Sequence, residues 1–72
     1  MYAERMKYIR QNIFGCSQAE FAKITGASQT RVCRWELGET EASHSQLAAI
    51  RAEASLRGIN WDDRYFFEVV DD

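Results

Sequence analysis

Proline is absent from these 72 residues, histidine occurs once and cysteine twice. Without proline the chain lacks its strongest breaker of helices, and only four glycines punctuate it. With 46% hydrophobic residues, the composition fits a compact all-helical domain rather than a disordered tail. No apolar run approaches the roughly 18 residues that a membrane span requires. The N-terminal MYAERMKYIR interleaves charge with apolar residues, unlike the hydrophobic stretch of a signal peptide. A cytoplasmic protein that does not engage a membrane is the expectation. Cys16 and Cys33 can pair in principle, but in a cytosolic domain two reduced thiols are expected. His44 is the only histidine, and neither cysteine has a second Cys or His at zinc-ligand spacing, so no metal is expected. There is also no glycine-rich phosphate loop and no nucleophile–base set, so neither an enzyme nor a cofactor is expected.

The charge is divided along the chain. Through Gly38, six basic residues face three acidic ones; from Glu39 onward, three basic residues face eight acidic ones, which yields the net −2. An acidic total argues against a phosphate-binding protein. The positive half, however, is also the half with the most organised sequence pattern. The acidic half reads either as a device that orients the molecule or, more plainly, as a solubilising surface.

Helical periodicity runs from the start. Tyr2, Met6, Ile9 and Ile13 share one face of a helix over about residues 2–13, with Glu4, Arg5, Lys7 and Arg10 mostly around the other. Phe14-Gly15 ends it. Ser17 with Glu20 three residues on is a capping-box pattern, opening a helix over about 18–25 that Gly26 interrupts. Ser28 is a second N-cap candidate, opening a helix over 29–37 whose Val32 and Trp35 share a face, and Gly38 closes it. Residues 38–43 form a polar loop. A fourth helix starts at Ser43 or His44 and runs to about Arg57, with Leu47, Ile50 and Ala54 inward, and Gly58 stops it. Beyond lies INWDDRYFFEVVDD. Asn60 as N-cap, with Asp62 and Asp63 in a first turn, favours a fifth helix from Trp61 to about Phe67. Tyr65, Phe66, Phe67, Val69 and Val70 equally suit an extended tail.

Two short helices joined by a glycine-containing turn make a helix-turn-helix pattern. The stretch SQxEFAxxTGxSQxxVxRWExG, residues 17–38, resembles the Cro and lambda-repressor (XRE-like) helix-turn-helix family, and the likeness extends over about residues 5–57. It implies an all-α bundle of four to five helices with a core over about 2–57, and leaves 58–72 as an aromatic, acidic extension of a single domain. The chain departs from the family at Phe14-Gly15-Cys16, which lengthens the first link by one residue and sets Arg10 seven residues before Ser17.

Carried over by position, the resemblance makes Gln29, Thr30 and Arg34 base-reading residues. Their chemistry suits the role: glutamine matches the N6/N7 edge of adenine, arginine the O6/N7 edge of guanine, and a threonine methyl packs on a thymine methyl. Gln18, Ser28, Arg31, Lys23, Arg10 and Thr40 become phosphate-contacting or positioning residues. Each has a plainer alternative. Gln29, Thr30 and Arg34 can be an ordinary solvated helix face, and Gln18 can merely help cap its helix. For Arg10 the resemblance favours the plainer role, pairing with Glu36 beneath the third helix. Trp35 reads as core and His44 as surface.

The implied function is a sequence-specific DNA-binding regulator. It would be a homodimeric repressor of a phage or mobile-element type operon, reading an inverted repeat in double-stranded DNA through the major groove. With no second domain, the dimer surface must come from this chain. The candidates are the loop after Gly38, the fourth helix and the aromatic tail Trp61, Tyr65, Phe66 and Phe67, since aromatics are enriched at interfaces; the alternative for the aromatics is to cap the core. A second function class is an antitoxin or other interaction module whose tail binds a partner protein.

Overall fold

The structure, a computed structural model, describes residues 2–67; the side chain of Tyr2 is outside what it describes, as are residues 68–72 and therefore Val69 and Val70. Four helices and no strand occur among the described residues: α1 (Tyr2–Tyr8), α2 (Gln18–Thr25), α3 (Gln29–Leu37) and α4 (His44–Leu56). None is long and apolar enough to cross a membrane. The helix boundaries follow from local capping. Ser17 accepts from the Glu20 amide at 3.1 Å while Glu20 accepts from the Ser17 amide at 3.0 Å, satisfying two otherwise orphaned donors. Ser43 and Gln46 repeat this reciprocal pair at α4, and Ser28 caps α3 through the Arg31 amide. Gly26 and Gly38 end α2 and α3 at φ +74° and +78°, a left-handed conformation that a β-carbon disfavours.

The first helix departs from the expected single span. After Tyr8 the backbone widens into a π turn over Ile9–Ile13, marked by the Phe14 amide donating to the Ile9 carbonyl at 3.0 Å, five residues back. A π turn accommodates one residue more than an α turn.

Met6, Ile9, Phe14, Phe21, Ala22, Val32, Trp35, Ile50, Ala54 and Phe66 form the core. Within it Phe21 sits tilted against Phe14 and edge-on to Trp35, with ring centroids 5.9 and 6.5 Å apart. α3 packs on both α1 and α2, α2 on α4, and α1 on the C-terminal turn.

The expected fifth helix contracts to a four-residue 3-10 turn, Asp63–Phe66. Its cap is Asp62, which accepts from the Arg64 amide at 2.9 Å, and not Asn60. The core also reaches past residue 57, because Phe66 is 3% exposed and Ile59, Trp61 and Tyr65 pack against it. Arg5, expected on the polar face of α1, is buried instead. Its Nε donates to the Tyr65 carbonyl at 3.0 Å and its guanidinium lies 4.3 Å from the Tyr8 ring centre, tying the C-terminal turn back onto α1.

Candidate nucleic-acid interface

One carboxylate joins three helices. Glu36 on α3 receives Arg10 Nε at 2.6 Å and Arg10 Nη2 at 3.0 Å, and its Oε1 also accepts from Gln18 Nε2 on α2 at 3.2 Å. Arg10 Nη1 donates to the Cys16 carbonyl at 3.0 Å. The two charged side chains are 10% and 7% exposed, so the pair is desolvated and bidentate. Its hydrogen bonds to Glu36, outweighing the opposing effect of burial, hold the Arg10 guanidinium above its ordinary pKa. Arg10 is therefore unavailable to a phosphate: of its two expected roles, the phosphate contact is corrected and the pairing with Glu36 is the one observed. Gln18 braces the same carboxylate, half-buried at the first position of α2.

This brace orients the outer face of α3. Gln29, Thr30 and Arg34 are exposed there, and among the described residues no side-chain hydrogen bond engages them. Together with Gln18, Cys33, Leu37 and Glu39 they line a shallow groove along the helix. Nine residues of α-helix span about 13 Å, comparable to the roughly 12 Å width of the DNA major groove. Residues four apart lie on one face, so Gln29, Cys33 and Leu37 form one row and Thr30 and Arg34 the neighbouring one. Cys33 and Leu37 were not anticipated as part of this face, although their spacing from Gln29 is the signal that places them. Arg31 lies about 100° around the helix from Thr30 and does not line the groove. It is exposed on the first turn of α3, Lys23 is exposed in the last turn of α2, and Ser28 is exposed at the N-cap of α3.

Thr40 requires a second correction. Its hydroxyl oxygen is buried without a hydrogen-bond partner, so it faces the interior and not a phosphate. The aromatic tail requires a third. Phe66 belongs to the core, while Trp61 and Tyr65 are half-buried and stacked edge-on at 5.1 Å. Trp61 Nε1 is occupied by Asp63 at 2.8 Å. Of the four dimer candidates, Phe67 is the outward one, at 67% exposure beside a shallow depression that includes His44 and Leu47.

The electrostatics are sharper than the net charge suggests. Arg51, Arg57 and Arg64, the three cations after Gly38, each pair with an acidic neighbour, Asp63, Glu53 and Asp62 respectively. Lys23, Arg31 and Arg34 on α2 and α3 carry no ion pair among the described residues. Cys16 and Cys33 are both free thiols, and burial, reinforced by Glu20, pushes the Cys16 pKa up. Comparison with protein-family models, with curated proteins and with solved structures returned no match.

Proposed function

We propose that the chain is a sequence-specific DNA-binding transcriptional regulator of the lambda-repressor-like helix-turn-helix type. α3 enters the major groove and Gln29, Thr30 and Arg34 read base edges, while Lys23, Arg31 and Ser28 position the domain on phosphates. The observation that carries this reading is the sorting of cations. Those on the helix-turn-helix are left without acidic partners beside an unoccupied row of hydrogen-bonding side chains, whereas the three cations after Gly38 are each neutralised by a neighbour. Unpaired cations are what a polyanion requires, since phosphate contacts supply most non-specific affinity. The brace through Glu36 supports the reading further, because it fixes α3 to α2 and to the π turn after α1 without spending Gln29, Thr30 or Arg34.

A single domain of this size has a small footprint, so the active form is a twofold dimer reading an inverted repeat. Its recognition helices are then about 34 Å apart, one turn of DNA. Repression of an operon of phage or mobile-element type follows from the resemblance. Selection of binding sites from random duplex DNA, run at two salt concentrations, tests the proposal. It should enrich a palindrome whose affinity falls with salt; enrichment of no palindrome refutes it. A second reading, an interaction module of antitoxin type, is favoured by Phe67, exposed beside His44 and Leu47. Co-purification of a protein partner that is lost on Phe67→Ser would support that reading.

A further inference from the structure

The base-reading face carries two apolar side chains that the core does not use. Leu37 is 66% exposed, Cys33 is half-buried, and neither belongs to the hydrophobic cluster or to the side chains packed against it. They are one helical turn apart in the same row, so they form a continuous apolar strip beside the Thr30–Arg34 row, within one groove. An exposed leucine alone signifies little. Here its surroundings define what can lie against it. The strip is flanked by the guanidinium of Arg34 and the amide of Gln29, and the single carboxylate lining the groove is Glu39, at the end beyond the helix terminus.

Resting on the reading of α3 as a major-groove helix, we infer that Cys33 and Leu37 select a C5-methylated pyrimidine, thymine in ordinary DNA, next to the base pair that Arg34 reads. In the major groove the thymine C5-methyl is the one apolar group a base pair presents. Polar side chains at 33 and 37 would leave that methyl solvated or against an unmatched dipole. An apolar strip removes it from water instead. Gln29 and Arg34 distinguish donors from acceptors, and the strip adds, beside the Thr30 methyl, a preference that hydrogen bonding cannot express. Because the recognised group is the methyl and not the Watson–Crick edge, 5-methylcytosine at the same place would satisfy the strip as well.

The test uses the full chain and the operator duplex recovered by selection from random DNA. Each thymine is replaced in turn by deoxyuridine, which removes one methyl and leaves base pairing intact, and binding is followed by fluorescence anisotropy. One or two thymines per half-site should show about a three- to fourfold loss of affinity, the worth of one methyl removed from water. That loss should shrink to near nothing in Leu37→Asn or Cys33→Ser. Both variants are expected to fold, since Leu37 is exposed and Cys33 lies outside the core, and circular dichroism verifies it. A palindrome that binds but contains no methyl-sensitive thymine overturns the inference and leaves the proposed function standing. So does a methyl sensitivity that persists in both variants and disappears only in Thr30→Ser. Failure to select any operator overturns the proposed function, and this inference with it.

Discussion

Exchanging Glu36 for leucine removes the carboxylate that α3 shares with α2 and with the π turn after α1. Arg10 then keeps only the Cys16 carbonyl for one of its nitrogens, with its side chain 10% exposed and its charge uncompensated. Removing one partner of a buried pair costs about 3–5 kcal/mol, because the remaining charge is stranded in a poorly solvated place. A domain of this length has a total stability of roughly 4–11 kcal/mol. The variant should therefore sit close to its unfolding threshold, with Tm lowered on the order of 20 °C when followed by far-ultraviolet circular dichroism.

The paired change Arg10→Met with Glu36→Leu separates the energy of the pair from the cost of breaking it. Apolar replacement of both ions is often neutral or stabilising. The double variant should recover most of the loss, short by about 1–2 kcal/mol for the Cys16 carbonyl, which loses a donor. It should also still bind DNA, since neither residue faces the groove. A Glu36→Leu variant destabilised by less than about 1 kcal/mol, within the range of an ordinary substitution, would refute the reasoning. So would a double variant no more stable than the weaker single one.

Arg34→Ala should cost about 1–3 kcal/mol on the selected operator and flatten the preference at one position, whereas Lys23→Ala should weaken all sequences alike, as competition with mismatched duplexes will show. Gly26→Ala, placing a β-carbon at φ +74° with open space around it, should lower stability in urea by about 1–2 kcal/mol through backbone strain alone. Gly26→Asn should cost less, because asparagine tolerates the left-handed region. Acid should destabilise through Glu20 and Asp62. The backbone and hydroxyl hydrogen bonds of Ser17, and the guanidinium and amide of Arg64, hold their carboxyls below the usual range. Stability from a lowered carboxylate pKa is present above its unfolded value and is lost as pH falls through the folded one. Urea midpoints should thus decline below about pH 4.5, less steeply in Glu20→Gln.

What was legible in the sequence was what is decided locally. Ser17 with Glu20, Ser28, Gly26 and Gly38 mark helix ends through contacts three or four residues away, and α2 and α3 begin and end where those residues place them. What escaped depends on distant partners. Nothing within residues 9–13 announces a π turn. Arg5 reads as a polar-face residue by spacing, yet its stem is apolar and its acceptor is the Tyr65 carbonyl, 60 residues on. In the tail, Asn60 and Asp62 are both good caps, and Phe66 decides between them by its need to reach the core. The site divides in the same way. The resemblance supplied Gln29, Thr30 and Arg34 and the pairing of Arg10 with Glu36, and helical spacing set Thr30 and Arg34 one turn apart, but whether Thr40 points outward was a question of burial that periodicity does not address.

The pairing pattern also explains how an acidic chain can suit a polyanion, and it sets a number. If every cation counted, nine positive charges per chain would be available to phosphates. Arg10 is buried against Glu36, Arg5 is buried at the C-terminal turn, and Arg51, Arg57 and Arg64 are each neutralised by a neighbour. Lys7 lies on α1, outside the helix-turn-helix, which leaves Lys23, Arg31 and Arg34 to act. Arg34 reads a base in the proposed arrangement but still contributes charge near the backbone. Two protomers then bring about six effective charges, and log K should fall with log salt with a slope of about −5. A slope near −10 would mean that the paired arginines open to meet phosphate, and one near −2 would mean that α2 does not approach the backbone. Lys23→Ala discriminates between these cases, because in a dimer it removes two contacts and should make the slope about 2 units shallower.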